Sequence, residues 1–164
     1  MRLIINTKYI LLFCIVAFFA SCDRNTIYQD FVSIDKAGWN EDSIAVFSVD
    51  VKDTSNNYNV IIDIRNRNEY PYQNLFLFVS SYSPDNICVS DTLNCILSDE
   101  LGRWYGKGIG SISNLPILYM SDIKFPKPGI YKFEIRHGMR ESVLKGINDI
   151  GLRVEKIDQE EENK

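Results

Sequence analysis

Glycine, lysine and aromatic residues crowd the stretch GRWYGKGIG at 102–110, where Gly106, Lys107 and Gly108 invite comparison with a loop that cradles phosphate. Such a loop needs four residues between its first glycine and the Gly-Lys pair, and then Ser or Thr. Here only Arg103, Trp104 and Tyr105 separate Gly102 from Gly106, and Gly108 stands where the hydroxyl is required. No helical pattern follows, so the glycines read as a tight loop or bulge between strands. His137 is the single imidazole of the chain, and any Ser-His-Asp or Cys-His catalyst would have to be built through it. It lies between Arg136 and Gly138 at a strand end, where an exposed structural histidine is expected. Asp99 and Glu100 sit in a turn beside Gly102, a setting for solvated acids rather than for a glycosidase pair. Acidic clusters with calcium-loop spacing do not occur. The expectation is a chain with no catalytic set, no metal and no cofactor.

More informative are arginines interleaved with aromatics. Arg65, Arg67, Tyr70 and Tyr72 fall in one predicted loop, and Arg103, Trp104, Tyr105 and Lys107 in another. Arg, Trp and Tyr are enriched at interface hot spots because they offer large area and planar donors. Two readings stay open. These residues form a partner-binding surface, or Tyr70 and Trp104 cap the open end of the fold while the arginines pair with local acids.

Beyond Cys14 and Cys22 near the N-terminus, the chain carries Cys88 and Cys95. On one continuous strand, seven steps would set them roughly 23 Å apart, and the odd spacing would turn them to opposite faces. A disulfide needs Cα atoms within about 7 Å, so a bridge requires a turn across 90–94. Without it, two buried free thiols are expected.

Elements that could position these residues follow from periodicity. Ala45, Phe47, Val49 and Val51 share one face of a strand, as do Tyr58, Val60, Ile62 and Ile64, and again Tyr131, Phe133 and Ile135. Leu75 to Val79 is apolar on both faces, as in a central strand of a packed sheet. Turn signals at Thr54–Asn57, Ser83–Asn86 and Lys127–Gly129 separate the runs. Seven to nine short strands without helical periodicity predict an antiparallel β-sandwich over 42–156, with an acidic tail at 157–164.

The N-terminus supplies an address. Arg2 and Lys8 precede twelve apolar residues, Tyr9 to Ala20, and Ser21-Cys22 follows. That run is shorter than the roughly 20 residues of a membrane span and has the layout of a secretory signal. Phe19-Ala20-Ser21-Cys22 is similar to a bacterial lipobox, with Phe19 in place of the usual aliphatic residue. Residues 1–21 are then a lipoprotein signal peptide, Cys22 the lipid-attachment site (palmitate among the chains it would carry), and 22–41 a lipidated tether. Each buried methylene adds about 0.8 kcal/mol, so two or three acyl chains anchor the protein to a lipid membrane. Loss of residues 1–21 removes two basic residues and no acid, leaving 16 basic and 22 acidic residues, a formal charge of −6. That balance argues against nucleic acid as a partner.

The blocks CDRN at 22–25, RNRNEYPYQNLFLF at 65–78, DTL at 91–93, GRWYGKGIGSI at 102–112, FPKPGIYKFEIRHGMR at 125–140 and LKGINDIGLRVEK at 144–156 together resemble the GldH gliding-motility lipoproteins of Bacteroidota. The resemblance implies a non-enzymatic component or assembly factor of the gliding and linked protein-secretion machinery, with other envelope proteins as partners. A membrane-anchored glycan- or ligand-binding module is the alternative. The expected location is the outer membrane, facing the periplasm. One outcome follows from the lipobox: Cys22→Ala leaves the chain unprocessed or released as a soluble product. A variant that still partitions with membranes at the mature size contradicts the lipid attachment.

Overall fold

A strand sends successive side chains to opposite faces, so the alternating runs bury one side and leave the other to solvent. The structure, a computed structural model, describes residues 25–108 and 110–157. In chain order the strands are β1 (Thr26–Ser33), β2 (Trp39–Asn40), β3 (Ala45–Val51), β4 (Tyr58–Arg67), β5 (Asn74–Tyr82), β6 (Cys88–Ile96), β7 (Ile112–Ile123), β8 (Gly129–His137), β9 (Val143–Leu144) and β10 (Ile147–Lys156). One sheet has the order β1-β10-β4-β7, a second the order β3-β8-β5-β6, and β2 pairs with β9. Every pairing is antiparallel. The all-β fold expected from the turn-punctuated sequence is present, with eight longer strands forming the two four-stranded sheets.

Between the sheets lies one apolar core. Val60, Ile62 and Ile64 of β4 and Ile150, Leu152 and Val154 of β10 meet Phe47, Phe133, Leu75 and Leu77 from the facing sheet. Each such side chain contributes roughly 1.5–3 kcal/mol on burial. The outward side of the first sheet is partly buried as well. Gly151 has room for no Cβ, since one built there would stand 2.5 Å from the Phe31 ring, which lies across it. The Arg65 guanidinium carbon then sits 3.7 Å from the Phe31 centroid. Beside it Asp63, only 3% exposed, accepts from Arg153 Nε at 3.3 Å and from Asn114 Nδ2 at 3.4 Å. Depriving a carboxylate this buried of its cation costs about 3–5 kcal/mol.

Several expectations are corrected. The reading of 22–41 as a tether fails over 26–33, which form β1 and pair with β10 along seven register positions. Phe31 faces Gly151 outside the core while Tyr28 and Val32 pack inward, so both faces carry apolar residues and no clean period shows. Residues 22–24 and 158–164, including Cys22 and most of the acidic tail, lie outside the described residues. β7 runs twelve residues, continued through Pro116 and two register irregularities. β5 is central in its sheet as expected, but Phe76 and Phe78 face solvent rather than a second layer. No turn interrupts β6, and both thiols are free. Cys95 is buried, its pKa pushed up to about 11 by burial, whereas Cys88 is exposed at the hairpin end opposite Tyr82. The odd spacing does set them on opposite faces.

His137 is the largest departure. It continues the inward series Tyr131, Phe133, Ile135 on β8 and is 2% exposed. Trp39 of β2 covers it edge-on, with ring centroids 5.4 Å apart. Neither ring nitrogen makes a hydrogen bond, although the Trp39 backbone lies near enough to favour a proton there. Burial pushes the imidazole below the ordinary histidine pKa, and the Trp39 backbone, Glu41 and Glu141 oppose it only in part. The unfolded chain therefore takes up this proton first as pH falls. Stability is complete above the unfolded value near 6.5 and declines below it. As the chain has one histidine, most of the decline between pH 7.5 and 5 comes from it, with Glu134 and Glu141, whose carboxyls the fold holds low, adding theirs toward the acid end. The urea midpoint of the native protein is expected to fall across that interval, and that of His137→Phe to fall much less. Parallel curves for the two proteins contradict this assignment.

Candidate functional site

Register fixes the two ends of the sandwich. Thr26 of β1, Lys156 of β10 and Tyr58 of β4 lie at one end, and Ser33, Ile147 and Arg67 at the other. Ten residues of β4 separate these ends by about 30 Å. The loops read from the sequence at 65–73 and 102–110 correspond here to the connections 68–73 and 97–108, and both fall at the far end from Thr26, with β2, β9 and the 138–146 connection.

Asp99 shapes the second of these loops. Its carboxylate accepts from Leu101 N at 3.0 Å and Arg103 N at 2.9 Å, and pairs with Arg103 Nε at 2.7 Å. These bonds, the Arg103 backbone bond first, lower its pKa and keep it ionised. The loop closes back on the strand end, where Tyr105 N donates to Leu97 O at 2.9 Å. Lys107 is held at the loop's return by paired backbone bonds with Asn114. The result presents Leu101 and Tyr105, which are 79% and 57% exposed, on either side of the exposed Arg103.

Beneath them lies an aromatic floor. Tyr70 is buried and donates its hydroxyl to Asn74 O at 2.8 Å, and burial raises its pKa. Its ring stands 6.3 Å from Trp104 and 5.8 Å from Tyr72. Gly146, at φ +86°, passes so close that a Cβ would meet Tyr70 Cα at 2.6 Å, so glycine is required there. Tyr72 in turn donates to Glu141, a bond that raises the phenol pKa and lowers that of the carboxyl.

Of the eight residues proposed from the sequence, Tyr70, Tyr72 and Trp104 meet in this floor, and Arg103, Tyr105 and Lys107 lie on the loop above. Arg65 and Arg67 do not join them. They belong to β4, where Arg65 stacks on Phe31 and pairs with Asp149 at 3.7 Å. Arg67 Nε donates to Asn148 Oδ1 at 2.9 Å. The rings are not coplanar: Tyr70 meets Tyr72 at 77° and Trp104 at 47°, so no flat platform for a sugar forms here. Sequence reasoning missed Leu101, because an exposed leucine in a polar turn breaks no period. It also missed Trp39, whose two-residue strand is too short to show alternation.

The family model and the two sequence relatives agree with one another. The GldH lipoprotein family matches residues 26–154. A gliding motility lipoprotein GldH homolog from Christiangramia forsetii is 36% identical over 157 residues, covering 92% of this chain and 95% of its own. The gliding motility lipoprotein GldH of Flavobacterium johnsoniae is 34% identical over 160 residues, covering 93% of this chain and 98% of its own. Among solved structures, a 4-O-methyl-alpha-glucuronidase aligns with 84% of this chain and 18% of its own at 14% identity and a TM-score of 0.41. With matched residues running from β1 into β10 and two relatives above 30% identity over nearly their whole length, the chain belongs to the GldH family of gliding-motility lipoproteins.

Proposed function

We propose that this lipoprotein, acylated at Cys22, is a non-enzymatic component or assembly factor of the gliding-motility and linked secretion machinery, seated in the outer membrane and facing the periplasm. The observation that carries the docking role is the loop that holds Leu101, Arg103 and Tyr105 in solvent above a packed aromatic floor. Exposing apolar and planar side chains costs solubility and is retained at contact surfaces. A rigid floor lowers the entropy lost when a partner binds.

Position supports the same reading. β1 starts four residues after Cys22, and a chain reaches at most about 3.5 Å per residue. An acylated Cys22 therefore keeps the Thr26 end within roughly 14 Å of the bilayer surface. With β4 standing along the membrane normal, the loop cluster at its other end lies about 30 Å further out, clear of the headgroups.

Separate substitutions test the surface. Leu101→Ser, Arg103→Ala and Tyr105→Ala are expected to reduce recovery of cross-linked envelope partners several-fold while the melting temperature holds within about 2 °C. Trp104→Ala, which removes part of the floor, lowers recovery and melting temperature together. Normal recovery with all the surface variants folded contradicts this docking surface.

A further inference from the structure

A β-sandwich has four sheet edges, and an unpaired edge is a row of backbone donors and acceptors. On one side of this molecule β1 and β3 lie against each other. On the other stand β7 and β6, linked by the Tyr119 hydroxyl donating to Asp91 Oδ2 at 2.6 Å. β7 carries two devices that blunt an edge. Pro116 lacks a donor, and its register shifts twice near Tyr58 and Val60. β6 carries none. It has no proline and no lysine or arginine, its only charge is Asp91, and its nine residues pair with β5 without a register shift.

The direction of its backbone groups follows from its ends. Ser83 N donates to Ile87 O at 3.0 Å, and Leu97 N donates to Gln73 O at 2.7 Å. In an antiparallel ladder hydrogen-bonded and non-bonded pairs alternate. In this register the backbone groups of Val89, Asp91, Leu93 and Cys95 face β5, while the N–H and C=O groups of Ser90, Thr92 and Asn94 face away from it. Among the described residues no strand pairs with that side. Past Ile96 the edge is already closed by the bond from Tyr105 N to Leu97 O.

We infer that β6 is a strand-addition site, which takes an extended segment of a partner protein bearing a basic residue opposite Asp91 and apolar residues two positions to either side. Backbone bonds to Ser90, Thr92 and Asn94 hold the segment, as in other cases of strand addition. Val89, 54% exposed, and the half-buried Leu93 flank Asp91 on the same face and receive the apolar pair. On the opposite face Ser90 and Thr92 are small and form one wall of a groove of about 360 Å³ that runs back over Phe78 and Tyr82 of β5 to Glu134 and Arg136 of β8. Opposite charges across a strand pair stabilise it and like charges destabilise it. A second copy is a poor occupant for that reason: an antiparallel pair centred on Thr92 sets Asp91 against Leu93, and one centred on Asp91 sets two carboxylates face to face. The site is separate from the distal loops and does not depend on them.

The test uses the mature lipoprotein in detergent and a threonine-rich nine-residue peptide with valine at its third and seventh positions and lysine at its fifth. Bound peptide is expected to slow hydrogen exchange at the amides of Ser90, Thr92 and Asn94 by about tenfold or more, leaving the β5-facing amides unchanged. Replacing its lysine by glutamate weakens binding by about fivefold or more, and Asp91→Asn removes that preference. Thr92→Pro deletes an outward donor without touching the β5 ladder and abolishes binding. Should that variant unfold, the exchange data alone decide. Unprotected edge amides at millimolar peptide, or equal binding of both peptides, overturn the inference. So do edge amides that are slow without peptide and quicken on dilution, which assign the edge to a second copy. Tyr105→Ala leaves the peptide's binding unchanged.

Discussion

Closure of the distal end constrains much of what this molecule can present. Two sheets filled with valine, isoleucine and leucine enclose a core that their own strands leave open at the ends, and an open end would admit water to Leu75, Ile135 and Ile150. Trp39 seals part of it, 1% exposed, with its indole Nε1 donating to Ser43 O at 2.9 Å and its ring against His137. Losing a tryptophan so buried costs about 3–5 kcal/mol. Tyr70, Trp104 and Tyr72 seal the rest. Because these plugs come from separate loops, the loops are bound to one another through the core. The exposed residues of 99–107 inherit their fixed geometry from that requirement.

How much of this could be read in the sequence depends on whether one face of a strand meets water. β3 alternates cleanly because Val46, Ser48 and Asp50 are solvated, and its phase is legible from Ala45 to Val51. β8 is legible to Ile135 for the same reason, yet His137 reads as polar and exposed although it continues the inward series. β1 is illegible because Phe31, covering Gly151, puts an aromatic on the outward face. Asp63 and Arg153 hide in a similar way: each is the polar residue that alternation assigns to solvent, and long neighbours bury them. The candidate loops were visible from composition alone, but not their division into floor and surface. Trp104 and Tyr105 are adjacent, and only the bridge of Ser98 with Trp104 turns one in and the other out.

The two ends of the sandwich have different work in this account. With the proposed acylation at Cys22, one end receives the chain from the lipid through only the few residues that precede β1. The other carries the loop proposed for docking, and β6 lies at a sheet edge along the side between them. An arrangement of this kind suits a protein that must hold a partner at a set height above a membrane, where a flexible linker would spread the position over a wide volume.

That geometry can be measured directly. In a Cys88→Ser background, a fluorophore is attached through Ser55→Cys, in the turn beside Tyr58, or through Tyr105→Cys, in the distal loop, and the acylated protein is placed in vesicles containing nitroxide-labelled lipid. Strong quenching is expected at position 55 and little at position 105. Equal quenching at both positions, or stronger quenching at 105, would contradict that geometry.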